Sequence, residues 1–247
     1  NQTITSSITG NTITDSYSRG VYIYNLQGTS ITGNTVTGSV DTGIYLENAV
    51  PSAFKENVIT GNGTTTNQPG LYVSHSNAEL SESFLIKDND LSGNHIGIEL
   101  RQFANAVVTG NDLSGSTTYG LNNLTTNAID ARYNYWGTSA TTTLNAGGHP
   151  KALSFIYDGR DDAQYGSVNY AGWQTTVGGA PSSVSVAGQL KFLDGSDAVT
   201  TTYQAGDTLK LQVTDADRNS DATTAETVTV LVTSNTENTG AVASVGT

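Results

Sequence analysis

The sequence contains neither cysteine nor methionine among its 247 residues. Without cysteine there is no disulfide framework, no thiol nucleophile and no metal site built from thiolate ligands. A chain that lacks both sulfur-containing residues and is rich in Thr, Ser, Asn and Gly suits an oxidising environment outside the cell. We therefore expect an extracellular or cell-surface location.

Basic residues are also scarce. Ten Lys and Arg stand against 22 Asp and Glu, which gives a formal charge of −12 and a pI near 4.3. Phosphate backbones and anionic lipid surfaces repel a chain this acidic. No apolar run approaches the ~20 residues of a membrane-spanning helix. The sequence therefore predicts no nucleic-acid partner and no membrane insertion.

No segment shows a sustained helical period, but a short pattern recurs between residues 8 and 136. It consists of an aliphatic residue, two small or polar residues, an Asn and usually a second aliphatic residue two places later. The recurring positions are Asn11, Asn34, Asn62, Asn89, Asn111 and Asn134. Their spacing of 22 to 28 residues lies in the range of solenoid repeats.

A second motif with a similar period is a Gly followed by alternating side chains. It begins at Gly20, Gly43, Gly70, Gly97 and Gly120. Each repeat thus offers at least two short strands, with aliphatic residues on one side and polar residues or tyrosines on the other. A coil this short cannot bury its own apolar face, so it must stack on its neighbours at about 4.8 Å. The sequence predicts a β-solenoid in which the six Asn form one hydrogen-bonded column.

Both motifs resemble the right-handed parallel β-helix repeats of secreted and surface prokaryotic proteins, the pectin-lyase-like group that includes polysaccharide lyases. The resemblance covers about residues 1–175. It includes a closing segment with the sequences DARYNYWG (130–137), FIYDGRDD (155–162) and GSVNYAGW (166–173). The resemblance implies the fold and leaves the activity open, because this scaffold carries enzymes, adhesins and structural proteins.

The composition changes after the last repeat. We place a β-helix with its cap at residues 1–177, a linker (GGAPSS) at 178–183 and a second module at 184–247. The second module has longer strands of antiparallel type and resembles a bacterial immunoglobulin-like β-sandwich, although it is too short for a complete one. The predicted fold class is therefore all-β: a right-handed parallel β-helix followed by an incomplete Ig-like sandwich.

One acidic stretch of the second module has the oxygen spacing of a calcium-binding loop. The predicted ligands of Ca²⁺ are Asp215, Asp217, Asn219, Asp221 and Glu226. Strand patterns flank the stretch, so we expect a Ca²⁺-binding turn between strands and not an EF-hand. The alternative is a solvated acidic turn without metal. A second acidic group, at residues 158–162, is better explained by turn hydrogen bonding.

The Gly-led strands align two columns of side chains on the outer face of the solenoid, and we select candidate residues from them. The candidate carbohydrate-binding or partner-binding residues are Tyr22, Tyr45, Tyr72, Glu47, Glu99 and Arg101. Exposed tyrosines are large, rigid and amphipathic, so they offer a platform for sugar rings or for a neighbouring protein. The alternative is that cross-strand pairing of the rings only stabilises the sheet.

Catalytic residues are not predicted. A β-helix lyase needs a basic residue near calcium held by carboxylates, and a glycoside hydrolase needs paired carboxylates. Glu47, Glu99 and Arg101 are the only charged residues that the repeats gather on one face, and no clustered Asp accompanies them. The three histidines fall in different parts of the chain without ligand spacing.

These observations favour a non-enzymatic extracellular structural or adhesive protein, a subunit of a surface layer, sheath or filament, with copies of itself or other surface proteins as partners. The chain begins inside a repeat, as an excised piece of a longer protein does. An open coil and a short sandwich favour assembly by strand addition between subunits. The alternative is a β-helix protein that binds or cleaves polysaccharide through its tyrosine face. A flat candidate surface favours the first hypothesis, and a groove favours the second.

Overall fold

A computed structural model describes residues 6–76, 83–186, 188–204, 210–214, 227–232 and 241–246. The chain divides into two compact units, Asn1–Ser185 and Val186–Thr247, and each is described by itself. The finer boundaries of the cap and linker given above stay a prediction.

Short strands and a helix make up the first unit. The strands are β1 (Ser7–Thr9), β2 (Thr12–Thr14), β3 (Val21–Tyr24), β4 (Ser30–Thr32), β5 (Thr35–Thr37), β6 (Ile44–Glu47), β7 (Ala53–Lys55), β8 (Val58–Thr60), β9 (Pro69–His75), β10 (Phe84–Lys87), β11 (Ile96–Gln102), β12 (Ala106–Thr109), β13 (Tyr119–Thr125), β14 (Ile129–Asp130), β15 (Ile156–Tyr157) and β16 (Val168–Asn169). The helix α1 (Thr138–Asn145) lies between β14 and β15.

Successive turns of the chain supply the strands of three parallel sheets. The sheets have the strand orders β1-β4-β7-β10-β12-β14-β16, β3-β6-β9-β11-β13-β15 and β2-β5-β8. Single bridges continue the third sheet through Asp90, Asp112, Tyr135 and Gln174. This arrangement confirms the predicted parallel β-solenoid. A complete early turn contributes three strands, one to each sheet, which satisfies the expectation of at least two.

The apolar core consists of columns that run along the solenoid. In the seven-stranded sheet Ile31, Phe54, Ile86 and Val108 follow one another and are buried, and in the six-stranded sheet Ile44, Leu71, Ile98 and Leu121 do the same. Each of these side chains packs on its equivalent in the next turn, which is why a single turn is not stable alone. Full burial of one such side chain contributes about 1.5–3 kcal/mol.

Two corners of each turn require a left-handed residue. At the first corner φ is positive at Gly10, Gly33, Glu56, Asp88, Gly110 and Tyr133, and at the second it is positive at Asp15, Gly38, Gly61, Gly93, Gly115 and Gly137. Glycine adopts this conformation without a steric penalty, which explains its prevalence. In the third turn the second corner is enlarged, and the carbonyl of Gly63 accepts hydrogen bonds from the N–H groups of Thr66 and Gln68.

An Asn follows every first corner, and these residues form the predicted ladder with one correction. The amide groups of Asn11, Asn34, Asn57, Asn89 and Asn111 each donate to the amide oxygen of the next member at 2.9–3.0 Å, and Asn134 ends the series. The prediction that Asn62 belongs to this column is wrong, because the pairing of Ile31 with Phe54 places Asn57 beside Asn34.

Asn62 instead belongs to a second ladder at the other corner. Its amide group donates to the Asn94 amide oxygen at 3.1 Å, and its own amide oxygen accepts the Ser39 N–H at 2.9 Å. Residues 54–59 and 59–62 both fit parts of the sequence pattern, so the pattern alone could not separate the two corners. Apart from Asn11, the Asn residues of both ladders are buried, and each link between them joins one turn to the next.

The last part of the first unit contains α1, which the sequence did not predict. Only Ala140 and Leu144 of this Thr-rich helix are buried, one turn apart, so a sustained apolar period is missing. Trp173 is fully buried nearby and its indole N–H donates to Asn145 at 3.1 Å. Burial of these few residues against the solenoid decides the conformation here.

The acidic group at residues 158–162 forms a hydrogen-bonded turn. Asp158 is buried, and its carboxylate accepts from Arg160 and from the Val168 N–H, both at 2.6 Å. Asp161 accepts the N–H of Asp158 at 3.1 Å. The side chain of Asp158 thus fixes the path of the chain before β16.

The second unit contains four described strands in two antiparallel pairs. They are β17 (Gln189–Leu193), β18 (Lys210–Thr214), β19 (Thr227–Val232) and β20 (Ala241–Gly246), and β17 pairs with β18 while β19 pairs with β20. The Ig-like assignment stays a prediction. The five predicted calcium ligands, between residues 215 and 226, lie outside the described residues. No helix within the described ranges has the length and apolarity to cross a membrane.

Candidate binding surface

The outer face of the six-stranded sheet presents one continuous column of aligned side chains. The strand register places Tyr22, Tyr45, Tyr72, Glu99, Asn122 and Tyr157 side by side, and we call this series the outer column. On each strand, the residues directly before and after the outer-column residue point into the core, because side chains alternate along a strand. A second series, Tyr24, Glu47, Ser74 and Arg101, runs beside it in the same register.

The first part of the outer column is a set of packed aromatic rings. The rings of Tyr45 and Tyr72 are stacked with centroids 4.2 Å apart, and the ring of Tyr22 meets Tyr45 edge-on at 5.3 Å. The guanidinium carbon of Arg19 lies 4.0 Å from the Tyr45 centroid and 4.9 Å from that of Tyr22. Since Tyr72 and Arg19 cannot share one face at these distances, both faces of Tyr45 are covered.

Two phenol groups of this set, those of Tyr22 and Tyr45, take part in hydrogen bonds. The hydroxyl of Tyr22 donates to Oε2 of Glu47 at 2.5 Å, and this bond raises the pKa of Tyr22 above its usual value. Burial, followed by a hydrogen bond with Tyr72, raises the pKa of Tyr45. Both groups therefore stay protonated at neutral pH and offer no base.

A polar pair interrupts the aromatic residues. Glu99 and Asn122 are only 6% and 7% exposed. Oε1 of Glu99 accepts from Nε of Arg101 at 2.6 Å, and Oε2 accepts from the Asn122 amide at 2.8 Å. Burial disfavours the charge on Arg101, but the bond and charge of Glu99 outweigh it and raise the Arg101 pKa. Among the described residues the amide oxygen of Asn122 has no hydrogen-bond partner.

Aromatic rings resume beyond the polar pair. Tyr157 lies next to Asn122 in the register, with its ring centroid 5.5 Å from Tyr119 and 6.1 Å from Tyr165. Burial and the negative charge of Asp162 raise the pKa of Tyr157. The polar pair is thus flanked by rings on both sides.

All six candidate residues lie on this surface, in two adjacent series of the same sheet. Their role in binding stays a prediction, but their placement shows a shared face and not scattered positions. The structure adds Arg19, Asn122 and Tyr157, which were not selected from the sequence. Arg19 directly precedes Gly20, so extending the Gly-led motif by one residue would have identified it. Tyr157 was missed because Phe155 replaces the expected Gly, opposite Gly120.

The arrangement supplies rings and hydrogen-bonding groups but few reactive ones. Its two carboxylates, Glu47 and Glu99, already accept hydrogen bonds from Tyr22, Arg101 and Asn122. An acid–base pair requires a carboxylate that is free to exchange a proton with the substrate. The surface is therefore suited to holding a ligand.

Part of the chain matches a family model. Residues 4–113 match the model of a family described as a right-handed β-helix region. No curated protein and no solved structure matches the chain. The matched residues cover the first turns of the solenoid, so the first unit is a right-handed parallel β-helix.

Proposed function

We propose that the protein is a non-enzymatic extracellular adhesive module that holds a neutral polysaccharide along the outer column and the second series beside it. The observation that carries this proposal is the alignment of exposed tyrosines and hydrogen-bonding side chains on one sheet face. Tyr22 and Tyr24 are 49% and 55% exposed, and their ring centroids are 6.4 Å apart. They supply the accessible aromatic part of the surface.

The chemistry of the surface fits a sugar polymer. A pyranose has apolar C–H faces and hydroxyl edges, and an exposed tyrosine offers both an apolar ring and a polar tip. Tyr22 and Tyr24 are placed to contact the C–H faces, while the second carboxylate oxygen of Glu47 accepts hydroxyl groups. Tyr45, which is covered on both faces, holds the neighbouring rings in position. The alternative of structural ring pairing therefore applies to Tyr45 and leaves Tyr22 and Tyr24 available.

The charge of the chain favours a neutral polymer over an anionic one. A net charge of −12 raises the free energy of bringing a polyanion to the surface. The exposed arginines of the surface do not offset it, because Arg101 is paired with Glu99 and Arg19 lies 3.8 Å from Asp41.

Affinity electrophoresis in gels that contain a soluble polysaccharide tests the proposal. Galactomannan, xyloglucan and mixed-linkage β-glucan are the neutral polymers, and polygalacturonate is the anionic one. We expect at least one neutral polymer to retard the wild-type chain. The double variant Tyr22→Ala with Tyr24→Ala should lose most of the retardation.

The matched control is Tyr135→Ala. Tyr135 belongs to the single bridges that continue the three-stranded sheet, away from the outer column. Its hydroxyl lies 3.1 Å from the hydroxyl oxygen of Thr138. This control variant should leave retardation unchanged. Failure of every neutral polymer to retard the wild type would contradict the proposal, and release of reducing ends from a retarding polymer would replace it with a polysaccharide-cleaving activity.

A further inference from the structure

We infer that Glu99 and Asn122 form the floor of a polar notch that receives a hydroxyl group of one saccharide unit. This inference rests on the proposed binding of a neutral polysaccharide and names the group in the chain that distinguishes one sugar from another. It also explains an otherwise costly feature of the outer column, the unpartnered amide oxygen of Asn122.

The notch follows from the sequence of side chains along the outer column. Between Tyr72 and Tyr157 two successive turns carry Glu99 and Asn122, whose side chains are shorter than tyrosine. With strands about 4.8 Å apart, the strands of Tyr72 and Tyr157 are separated by about 14 Å. The low exposure of the polar pair places it at the bottom of this interval, below the flanking rings.

The hydrogen bonds within the notch leave one acceptor. Arg101 and the Asn122 amide occupy the two oxygens of Glu99, which fixes the orientation of the Asn122 side chain. The Asn122 oxygen is then the one polar atom of the pair without a partner in the described part of the chain. A buried acceptor without a donor destabilises the folded state, so its presence calls for an explanation. Such violations are expected where a ligand completes the hydrogen bonding.

A sugar hydroxyl is the donor that fits this acceptor. It is neutral, so it adds no charge beside Glu99, and it is small enough to enter between two rings. The Arg101 side chain, which is bonded to Glu99, is 47% exposed, and in the inferred binding mode its displacement admits the hydroxyl. A site that must hydrogen-bond a ligand hydroxyl discriminates strongly against a ligand that lacks it. Asn122 therefore acts as a specificity-determining residue, while Tyr22 and Tyr24 supply general affinity.

The test compares Asn122→Leu with Ser116→Ala. Leu is branched at Cγ like Asn but removes both the unpartnered oxygen and the amide that donates to Glu99 at 2.8 Å, so the melting temperature should fall. At temperatures where the variant is fully folded, its affinity for the retarding neutral polymer should be at least tenfold lower. Ser116 carries another buried oxygen without a partner among the described residues, at the second corner. Ser116→Ala removes only an unpartnered oxygen, so it should raise the melting temperature and leave binding unchanged. The melting temperature and affinity of Asn122→Ala are also measured, because the smaller Ala side chain does not force its neighbours to move.

Each outcome decides the inference. If the wild type binds a neutral polymer and both Asn122 variants bind it equally well, the notch is wrong and the proposed function stands. Binding by both Asn122 variants that is reduced only in proportion to their unfolding would assign Asn122 a structural role. If the wild type binds no neutral polymer, the proposed function and the notch fail together.

Discussion

The side-chain amide of Asn57 donates a hydrogen bond of 2.9 Å to the amide oxygen of Asn89, across an interval of 32 residues. The preceding link, from Asn34 to Asn57, spans 23 residues at the same distance. The ladder therefore keeps its geometry while the length of the turn changes. Hydrogen bonding between turns, and not equal spacing in the sequence, defines the repeat.

Asn57→Ala should destabilise the solenoid strongly. The Asn57 oxygen accepts from the N–H and the amide of Asn34, and its amide also donates to the Ile31 carbonyl. Each buried group left without a partner costs about 1–3 kcal/mol, so we expect a loss of at least about 2 kcal/mol in the free energy of unfolding. Urea unfolding followed by circular dichroism measures it. Asn11→Ala is the control, because Asn11 is exposed and should cost less; equal losses would contradict the ladder.

Gly43→Ala should disrupt the stacking of turns. A methyl group at Gly43 would lie 2.6 Å from the Gly70 carbonyl oxygen and 2.8 Å from Ile59 Cγ2. Both neighbours are held in the solenoid, so the strands would have to separate at a cost of about 1–3 kcal/mol or more. Thermal unfolding measures the change. Gly195→Ala, with open space around its added methyl group, is the control; a shift as large for Gly195 as for Gly43 would show that close approach is not the cause.

Alkaline pH should weaken the solenoid through its tyrosines. A phenol whose pKa is higher in the folded than in the unfolded chain stabilises the fold fully below the unfolded value of about 10, and this stabilisation is lost as pH rises through the folded value. Tyr22 and Tyr45 have such raised pKa values. Ultraviolet titration of Tyr45→Phe should show one late-titrating phenol fewer than the wild type.

Glu47→Gln separates the two causes of these shifts. The hydrogen bond from Tyr22 to Glu47 is the largest cause of its raised pKa, so the titration of Tyr22 should move toward about 10. Burial is the largest cause for Tyr45, which should still titrate late. Unchanged titration of both tyrosines in this variant would contradict the assigned role of Glu47.

Calcium should stabilise the second unit if the predicted loop binds it. At a free concentration one hundred times the dissociation constant, a bound ion adds about 2.7 kcal/mol to the free energy of unfolding. Calorimetric titration with Ca²⁺ should show one site that Asp217→Asn with Glu226→Gln removes. Asp161→Asn with Asp162→Asn, in the turn of the first unit, is the matched control and should leave the site intact. Equal Ca²⁺ affinity in all three proteins would identify the loop as a solvated turn.

Assembly by strand addition predicts polymers at high protein concentration. Sedimentation and electron microscopy of the purified chain, with Ca²⁺ and with a chelator, measure it. Ordered polymers would support a role in a surface layer, sheath or filament. Strictly monomeric protein in both conditions would contradict assembly and leave the adhesive proposal to the polysaccharide experiments.

The sequence predicted the solenoid and the outer column because parallel pairing repeats one side-chain pattern from turn to turn. The repeated Gly-led motif aligns Gly20, Gly43 and Gly70, and the strand register agrees with that alignment. The pattern carries this information because a Cβ at each Gly would overlap the next turn: its backbone at Gly20 and Gly43, and the Asn94 side chain at Gly70. In the Gly-led strands, residues that are equivalent in the sequence repeat are therefore also the residues paired between neighbouring strands.

Other features depend on contacts that no local pattern encodes. Asn57 and Asn62 lie in the same turn and follow similar residues, so only the pairing of β7 with β4 distinguishes their ladders. Helix α1 forms because Ala140 and Leu144 are buried, although its sequence is a poor helix former. Tyr157 joins the outer column from a segment without the Gly motif. Tertiary packing decides all three.

The enlarged corner after β8 marks a place where new sequence can be grafted. The chain leaves the ladder at Asn62, loops through residues 63–68 and returns to β9, while strands on either side keep their pairing. The cost of closing a longer flexible loop grows only slowly with its length. Foreign peptides inserted between Thr64 and Asn67 should therefore be displayed without disturbing the solenoid, so this corner is a suitable insertion site for engineered loops.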